Sequence, residues 1–236
     1  MIHSRFALAT VLVLSTLAAS TANSQSINPP PGPDINAVPF EFDPQHLNVV
    51  AAEWKGGIGC QSTFDPLVCP ATGMGGTDLS DNFGAGLLLV KSGLTAQNAS
   101  AGVSLTGVKG ITVTELGFDI RKKGPRIADN GSHCGAGAPR FNVTTTDGVI
   151  HFIGCNSAAT PATTEFDGVD WIRLRWIATL AGIVAFPTPV NSPVASISIV
   201  FDEGQDTDPD FFGLAVLDNI DVNGQLIGTG PRGPAK

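Results

Sequence analysis

Three groups of residues in this chain have types and spacings that do chemistry. The first is Asp202 to Asp210 (DEGQDTDPD), in which Asp206, Asp208 and Asp210 alternate. Alternation in an extended loop turns every second side chain toward one point, as in loops that hold calcium, a hard cation taking six to eight oxygens. Pro209 stands where such loops need a glycine for their sharp turn, and no Glu follows at EF-hand spacing. A solvated acidic loop is therefore the simpler expectation. The second group is Trp171, Arg173 and Arg175, which share one face of a predicted strand. Indole stacks on the flat apolar faces of sugar rings, and guanidinium offers a fixed fork of donors, so this face is a candidate for ligand contact. In the competing reading, Trp171 is covered by its neighbours and the arginines pair with local acids. The third group is Cys60, Cys69, Cys134 and Cys155, with His133 and His151 nearby. Four cysteines in an exported chain make two disulfides in one of three connectivities, and the local pairs Cys60–Cys69 and Cys134–Cys155 are favoured. His133, Cys134, His151 and Cys155 also have the chemistry of zinc ligands, but an oxidising compartment favours the disulfide.

Catalytic patterns are incomplete. Glu115 and Asp119 (ELGFD) share a strand face. A retaining glycosidase needs its two carboxylates about 5 Å apart, and the third acid of the sandwich-type motif is missing. Glu165 and Asp167 lie in a Thr-rich stretch, Asp78 and Asp81 read as turn residues, and Asp119 and Glu203 have no evident partner. There is no Gly-x-Ser-x-Gly elbow and no His-Glu-x-x-His. Such sites also assemble from distant strands, so a polysaccharide-acting hydrolase or lyase stands as a third alternative.

These residues need a frame, and composition bounds it. The chain has 236 residues, 13 Lys and Arg against 21 Asp and Glu, and a net charge of −8. Nucleic acid and anionic membranes select basic patches, so neither is an expected partner. Residues 1–24 have the order of a secretory signal peptide: Arg5 in a basic start, an apolar run from Phe6 to Ala19, then small residues. Cleavage after Ala22 or Ser24 fits equally. The run is short of the roughly 20 residues that span a bilayer, so the sequence predicts a secreted or extracellular protein (periplasm included) with no membrane span. Residues 25–39 form a Pro-rich segment, 40–230 a single domain and 231–236 a tail.

Within the domain, 28 glycines and 17 prolines punctuate short β-like runs, and no amphipathic helix stands out. Leu116, Phe118 and Ile120 alternate with Gly117, Asp119 and Arg121. Ile172, Leu174 and Trp176 form one face of a strand, as do Ile197, Ile199 and Phe201. Gly86 to Lys91 reads as a buried strand and Leu214 to Val222 as the last long one. Ala101 to Leu105 and Ile111 to Val113 flank a Gly107–Gly110 turn. Asp147-Gly148 is the pair that a two-residue type I′ hairpin requires. That turn sets Phe141 opposite Gly154, Val143 opposite Phe152, Thr145 opposite Ile150 and Arg140 opposite Cys155. About ten alternating strands predict an all-β, antiparallel two-sheet sandwich, in jelly-roll form, with a barrel as the runner-up.

Two segments carry a family resemblance. Asn36 to Phe42 (NAVPFEF), followed by Trp54, resembles the opening strand of jelly-roll carbohydrate-binding modules of the galactose-binding-like superfamily. Ala215 to Val222 (AVLDNIDV) is similar to their closing strand. The resemblance implies that these strands lie near each other, and that an acid from each helps to hold a structural calcium ion. In this sequence those acids are Glu41 and Asp218. The family's usual glycine after the Glu is absent, and Trp54 lies further along than usual. The expected function is a secreted non-catalytic module that binds carbohydrate or a cell-surface ligand. An extracellular structural or adhesive scaffold is the alternative. Sequons at Asn98, Asn130 and Asn142 complete the inventory.

Overall fold

The computed structural model describes residues 34–59, 85–94, 96–122, 139–154, 162–166, 169–203 and 213–228. The segments with the four cysteines, with Asp206, Asp208 and Asp210, and with the predicted signal peptide lie outside them. Among the described residues, twelve strands and no helix are present. In chain order they are β1 Asn36–Phe42, β2 Val50–Lys55, β3 Gly86–Lys91, β4 Ser100–Thr106, β5 Glu115–Arg121 and β6 Arg140–Thr145. There follow β7 Ile150–Ile153, β8 Ala162–Phe166, β9 Val169–Ile177, β10 Val194–Phe201, β11 Leu214–Val222 and β12 Gln225–Ile227.

The strands form the expected antiparallel sandwich. One sheet has the order β1-β4-β10-β6-β7. The other has β2-β3-β11-β5-β9-β8, with β12 paired to β11. The chain passes repeatedly between the two, as in a jelly roll. Strand periodicity of two explains the layers. Leu116, Phe118 and Ile120 of β5, and Ile172, Leu174 and Trp176 of β9, turn inward to meet Phe141, Val143, Ile197, Ile199 and Phe201 of the facing sheet. At the centre, the rings of Phe118, Phe141 and Trp176 pack mutually at 5.3–5.5 Å between centroids, and Trp176 Nε1 donates to the Gly154 carbonyl at 2.9 Å.

The open edge of β2 is closed by β1. Glu41 Oε1 accepts the Ala52 N–H at 3.1 Å, and Trp54 Nε1 donates to the Ala37 carbonyl at 3.2 Å. Both bonds satisfy backbone groups that an edge strand would otherwise leave for another chain to pair with.

Two expectations require correction. Ile111 to Val113 is not a strand; it follows a turn in which Ile111 N–H bonds the Val108 carbonyl. The β6–β7 hairpin is also one residue out of the predicted register: Phe141 pairs with Ile153, Asn142 with Phe152, Val143 with His151 and Thr144 with Ile150. The loop has three residues, not two. Thr145 N–H bonds the Val149 carbonyl, the Thr145 carbonyl accepts Gly148 N–H, and Gly148 sits at φ 85°. This is a type I turn closed by a glycine bulge, which uses Asp-Gly as readily as a type I′ turn does. Asp147 supports it by accepting the Thr145 hydroxyl at 2.5 Å. A one-residue slip exchanges the faces of a strand. Here it turns His151 and Ile153 inward and Ile150 and Phe152 outward.

Candidate functional site

The two outer faces of the sandwich differ in kind. On the seven-stranded sheet, Trp171, Arg173 and Arg175 of β9 project outward beside Glu115, Asp119 and Arg121 of β5. Asp218 and Asp221 of β11 join them. Residues three apart in a regular strand face opposite ways, but a bulge between Asp218 and Asp221 returns both to one face. Asn219 takes up the extra residue in the left-handed region, at φ 47°, and its own N–H bonds Asp218 Oδ1 at 2.7 Å.

The charged side chains are paired with one another, although the buried Arg173 Nε and Trp171 Nε1 make no hydrogen bond among the described residues. Arg173 donates to Asp119 at 3.0 Å, to the Asn219 carbonyl at 3.0 Å and to Asp221 at 3.2 Å. Arg175 donates to Asp221 at 2.9 Å and pairs with Glu115. Asn219 Nδ2 donates to Asp119 Oδ2 at 2.7 Å. Burial pushes the Asp119 carboxyl up to about 6, against the opposing pull of the Arg173 guanidinium and the Asn219 amide. Trp171 is wholly buried against Val216, with the Arg121 guanidinium 5.2 Å from its ring centroid. The face that the sequence offered for ligand contact is thus covered, with Trp171 at 0 % and Arg173 at 4 % exposure.

Glu41 and Asp218 are not brought together. Glu41 bonds the free edge of β2, whereas Asp218 projects from the outer face of β11, two strands further in. At a strand spacing of about 4.8 Å, roughly 10 Å of sheet separates them. Among the described residues, no three His, Cys, Asp or Glu side chains converge as a cation site.

The outer face of the five-stranded sheet is open, and its residues are of another type. Its central strands present small polar groups (Ser100, Ser104 and Thr106 from β4, Ser196 and Ser198 from β10, Asn142 and Thr144 from β6), with Gly102 and Val200 paired among them. Apolar side chains border this floor on both sides. Val38, Phe40 and Phe42 stand on β1, opposite Ser104, Gly102 and Ser100. Ile150 and Phe152 stand on β7, and Phe186 pairs with Phe152 through two backbone hydrogen bonds of 2.7 and 3.0 Å. Phe42, Phe152 and Phe186 are 47, 37 and 72 % exposed. Phe40 instead lies down across Gly102, where an added Cβ would sit 2.5 Å from Phe40 Cζ and 2.5 Å from the Ile199 carbonyl oxygen. At one end Arg140 forms a two-pronged ion pair with Asp202, both bonds 2.8 Å, and its guanidinium carbon lies 6.0 Å from the Phe152 ring centroid. Asn36 Oδ1 and Asn142 Oδ1, both on this face, accept no hydrogen bond from the protein.

No protein-family model matches the chain, and no curated protein matches it in sequence. Among solved structures, one similar chain is the enzymatically active domain of tailspike protein 4 of bacteriophage CBA120. It is 11 % identical at a TM-score of 0.35, over 82 % of this chain and 19 % of that one. Another is the family 11 carbohydrate-binding module from Clostridium thermocellum, in complex with a β-1,3-1,4-mixed-linked tetrasaccharide. It is 15 % identical at a TM-score of 0.35, over 81 % of this chain and 91 % of that one. The chain spans about a fifth of the tailspike chain. At these values the likeness is distant and carries no functional weight.

Sequence reasoning missed the aromatic-bordered face for two reasons. Its phenylalanines come from three separated segments, and the predicted hairpin register turned Phe152 inward. The signal available was the alternation in NAVPFEF, which places Val38, Phe40 and Phe42 on a single side of β1.

Proposed function

We propose that this protein is a secreted, non-catalytic carbohydrate-binding module whose sugar site is the outer face of the five-stranded sheet. One observation carries the reading: a floor of hydroxyl and amide side chains lies between two borders of exposed phenylalanines. Aromatic rings stack on the apolar faces of pyranose rings, while Ser, Thr and Asn exchange hydrogen bonds with the equatorial hydroxyls between them. The borders on β1 and β7 are four strand spacings apart, about 19 Å, which suits an oligosaccharide rather than a single sugar. The floor carries no unpaired charge, since Arg140 and Asp202 neutralise each other. A neutral glycan chain is therefore the proposed ligand, and the opposite face contributes a rigid backing.

A glycan array probed with the mature protein tests this. Binding to neutral polysaccharide fragments of several residues is expected. Silence across the array, or binding confined to anionic glycans, would sink the reading. If the module also holds a calcium ion, Asp206, Asp208 and Asp210 are the other ligands that the sequence offers beside Glu41 and Asp218. A Tm that falls in chelator supports such an ion, and an unchanged Tm removes it.

A further inference from the structure

Lys122 directly follows β5, Glu203 lies two residues beyond β10, and their side chains form an ion pair. β5 belongs to the seven-stranded sheet and β10 to the five-stranded one, so the pair ties the two layers together at one end of the sandwich. Both side chains are 0 % exposed. The lysine nitrogen also lies 5.8 Å from the centroid of the Phe201 ring. A buried ion pair offsets its desolvation only when hydrogen bonds satisfy the remaining lone pairs. Among the described residues, neither Glu203 oxygen accepts one apart from the ion pair itself. Other carboxylates are better satisfied: buried Asp119 accepts from Arg173 and Asn219, and the half-buried Asp202 is held by both prongs of Arg140. In a dry site a proton passes from ammonium to carboxylate, because the neutral amine and acid need no hydration. An amine held against a carboxylic acid is the reactant pair of an amide, at an effective concentration far above any in solution.

We propose that Lys122 and Glu203 close an intramolecular isopeptide bond. After proton transfer, the Nζ lone pair attacks Glu203 Cδ and a C–N bond forms. One carboxyl C–O bond breaks, and its oxygen leaves as water with the acid proton and one amine proton. The reaction needs no oxidant, reductant or co-reactant. The product replaces two buried charges with one amide group. Like a disulfide, the link restricts the unfolded chain, but reductants do not open it. It holds independently of any ligand that the module binds.

Intact mass of the denatured, reduced protein tests the bond, followed by a tryptic map. The wild type is expected to weigh one water less than its processed sequence. Its map should lack cleavage after Lys122 and should contain a branched peptide joining the Lys122 and Glu203 segments. Lys122→Arg, which keeps the charge but not the amine, should recover the full mass. A wild-type mass with no water lost, or water loss without the branched peptide, overturns the proposal, and neither reading requires the variant to fold.

Discussion

At the scale of single residues, burial separates the aromatics that hold the fold from those available to a ligand. Trp171 is sealed against Val216 beneath the Arg121 guanidinium, so Trp171→Ala should cost about 3–5 kcal/mol of stability. Phe152→Ala and Phe186→Ala remove exposed rings and should change stability by no more than about 0.5 kcal/mol. Each of those two variants should weaken glycan binding by roughly tenfold, the equivalent of about 1.4 kcal/mol of lost apolar contact. Urea titrations with parallel calorimetric binding distinguish the two classes. Asp119 gives a pH signature. Its folded carboxyl titrates near 6 against an ordinary value of 3.8, so the folded state holds the proton more tightly than the unfolded one. Stability from this group is full below the unfolded value and is lost as pH rises through about 6, by roughly 2–3 kcal/mol. The stability difference between wild type and the non-titrating Asp119→Asn, followed from pH 4 to 7, should shrink in that direction. A flat difference would contradict the assignment.

At the scale of elements, strand positions were legible because apolar residues recur at a period of two. Leu116, Phe118, Ile120, Ile172, Leu174 and Trp176 all face the core as their alternation requires. Register was not legible, because Asp147-Gly148 serves two loop lengths and only tertiary burial chooses between them. The buried partners His151 and Ile153 show which loop the fold uses. The bulge at Asn219 was equally hidden, since LDNIDV shows no glycine to mark it. Two glycines test these element-level assignments. Gly148 occupies the left-handed region, so Gly148→Ala should cost about 1–2 kcal/mol without affecting the glycan face. Gly102→Ala sets a Cβ against the Ile199 carbonyl and the Phe40 ring, and should cost about 1–3 kcal/mol. Unlike Gly148→Ala, it should also reduce glycan affinity by lifting Phe40 off the floor, which side-by-side binding isotherms would reveal.

At the scale of the whole molecule, the two sheets divide the work. The seven-stranded sheet carries a covered outer face in which Arg173 and Arg175 are spent on Glu115, Asp119 and Asp221. The five-stranded sheet carries an open face of small polar side chains bordered by the exposed rings of Phe42, Phe152 and Phe186. Composition and alternation pointed to an acidic all-β sandwich, because they report fold class directly, whereas the carbohydrate-binding expectation came from the resemblance of two segments. The sequence offered Trp171, Arg173 and Arg175 for ligand contact, a face that lies covered here, because exposure depends on what covers a strand and not on its own residues. The division of labour is the central claim, and affinity electrophoresis through gels containing neutral polysaccharide tests it most directly. The wild type should be retarded, Phe42→Ala/Phe152→Ala/Phe186→Ala should run as in a polysaccharide-free gel, and Arg175→Lys should be retarded like the wild type. Full retardation of the triple variant, or loss of retardation with Arg175→Lys alone, would contradict it.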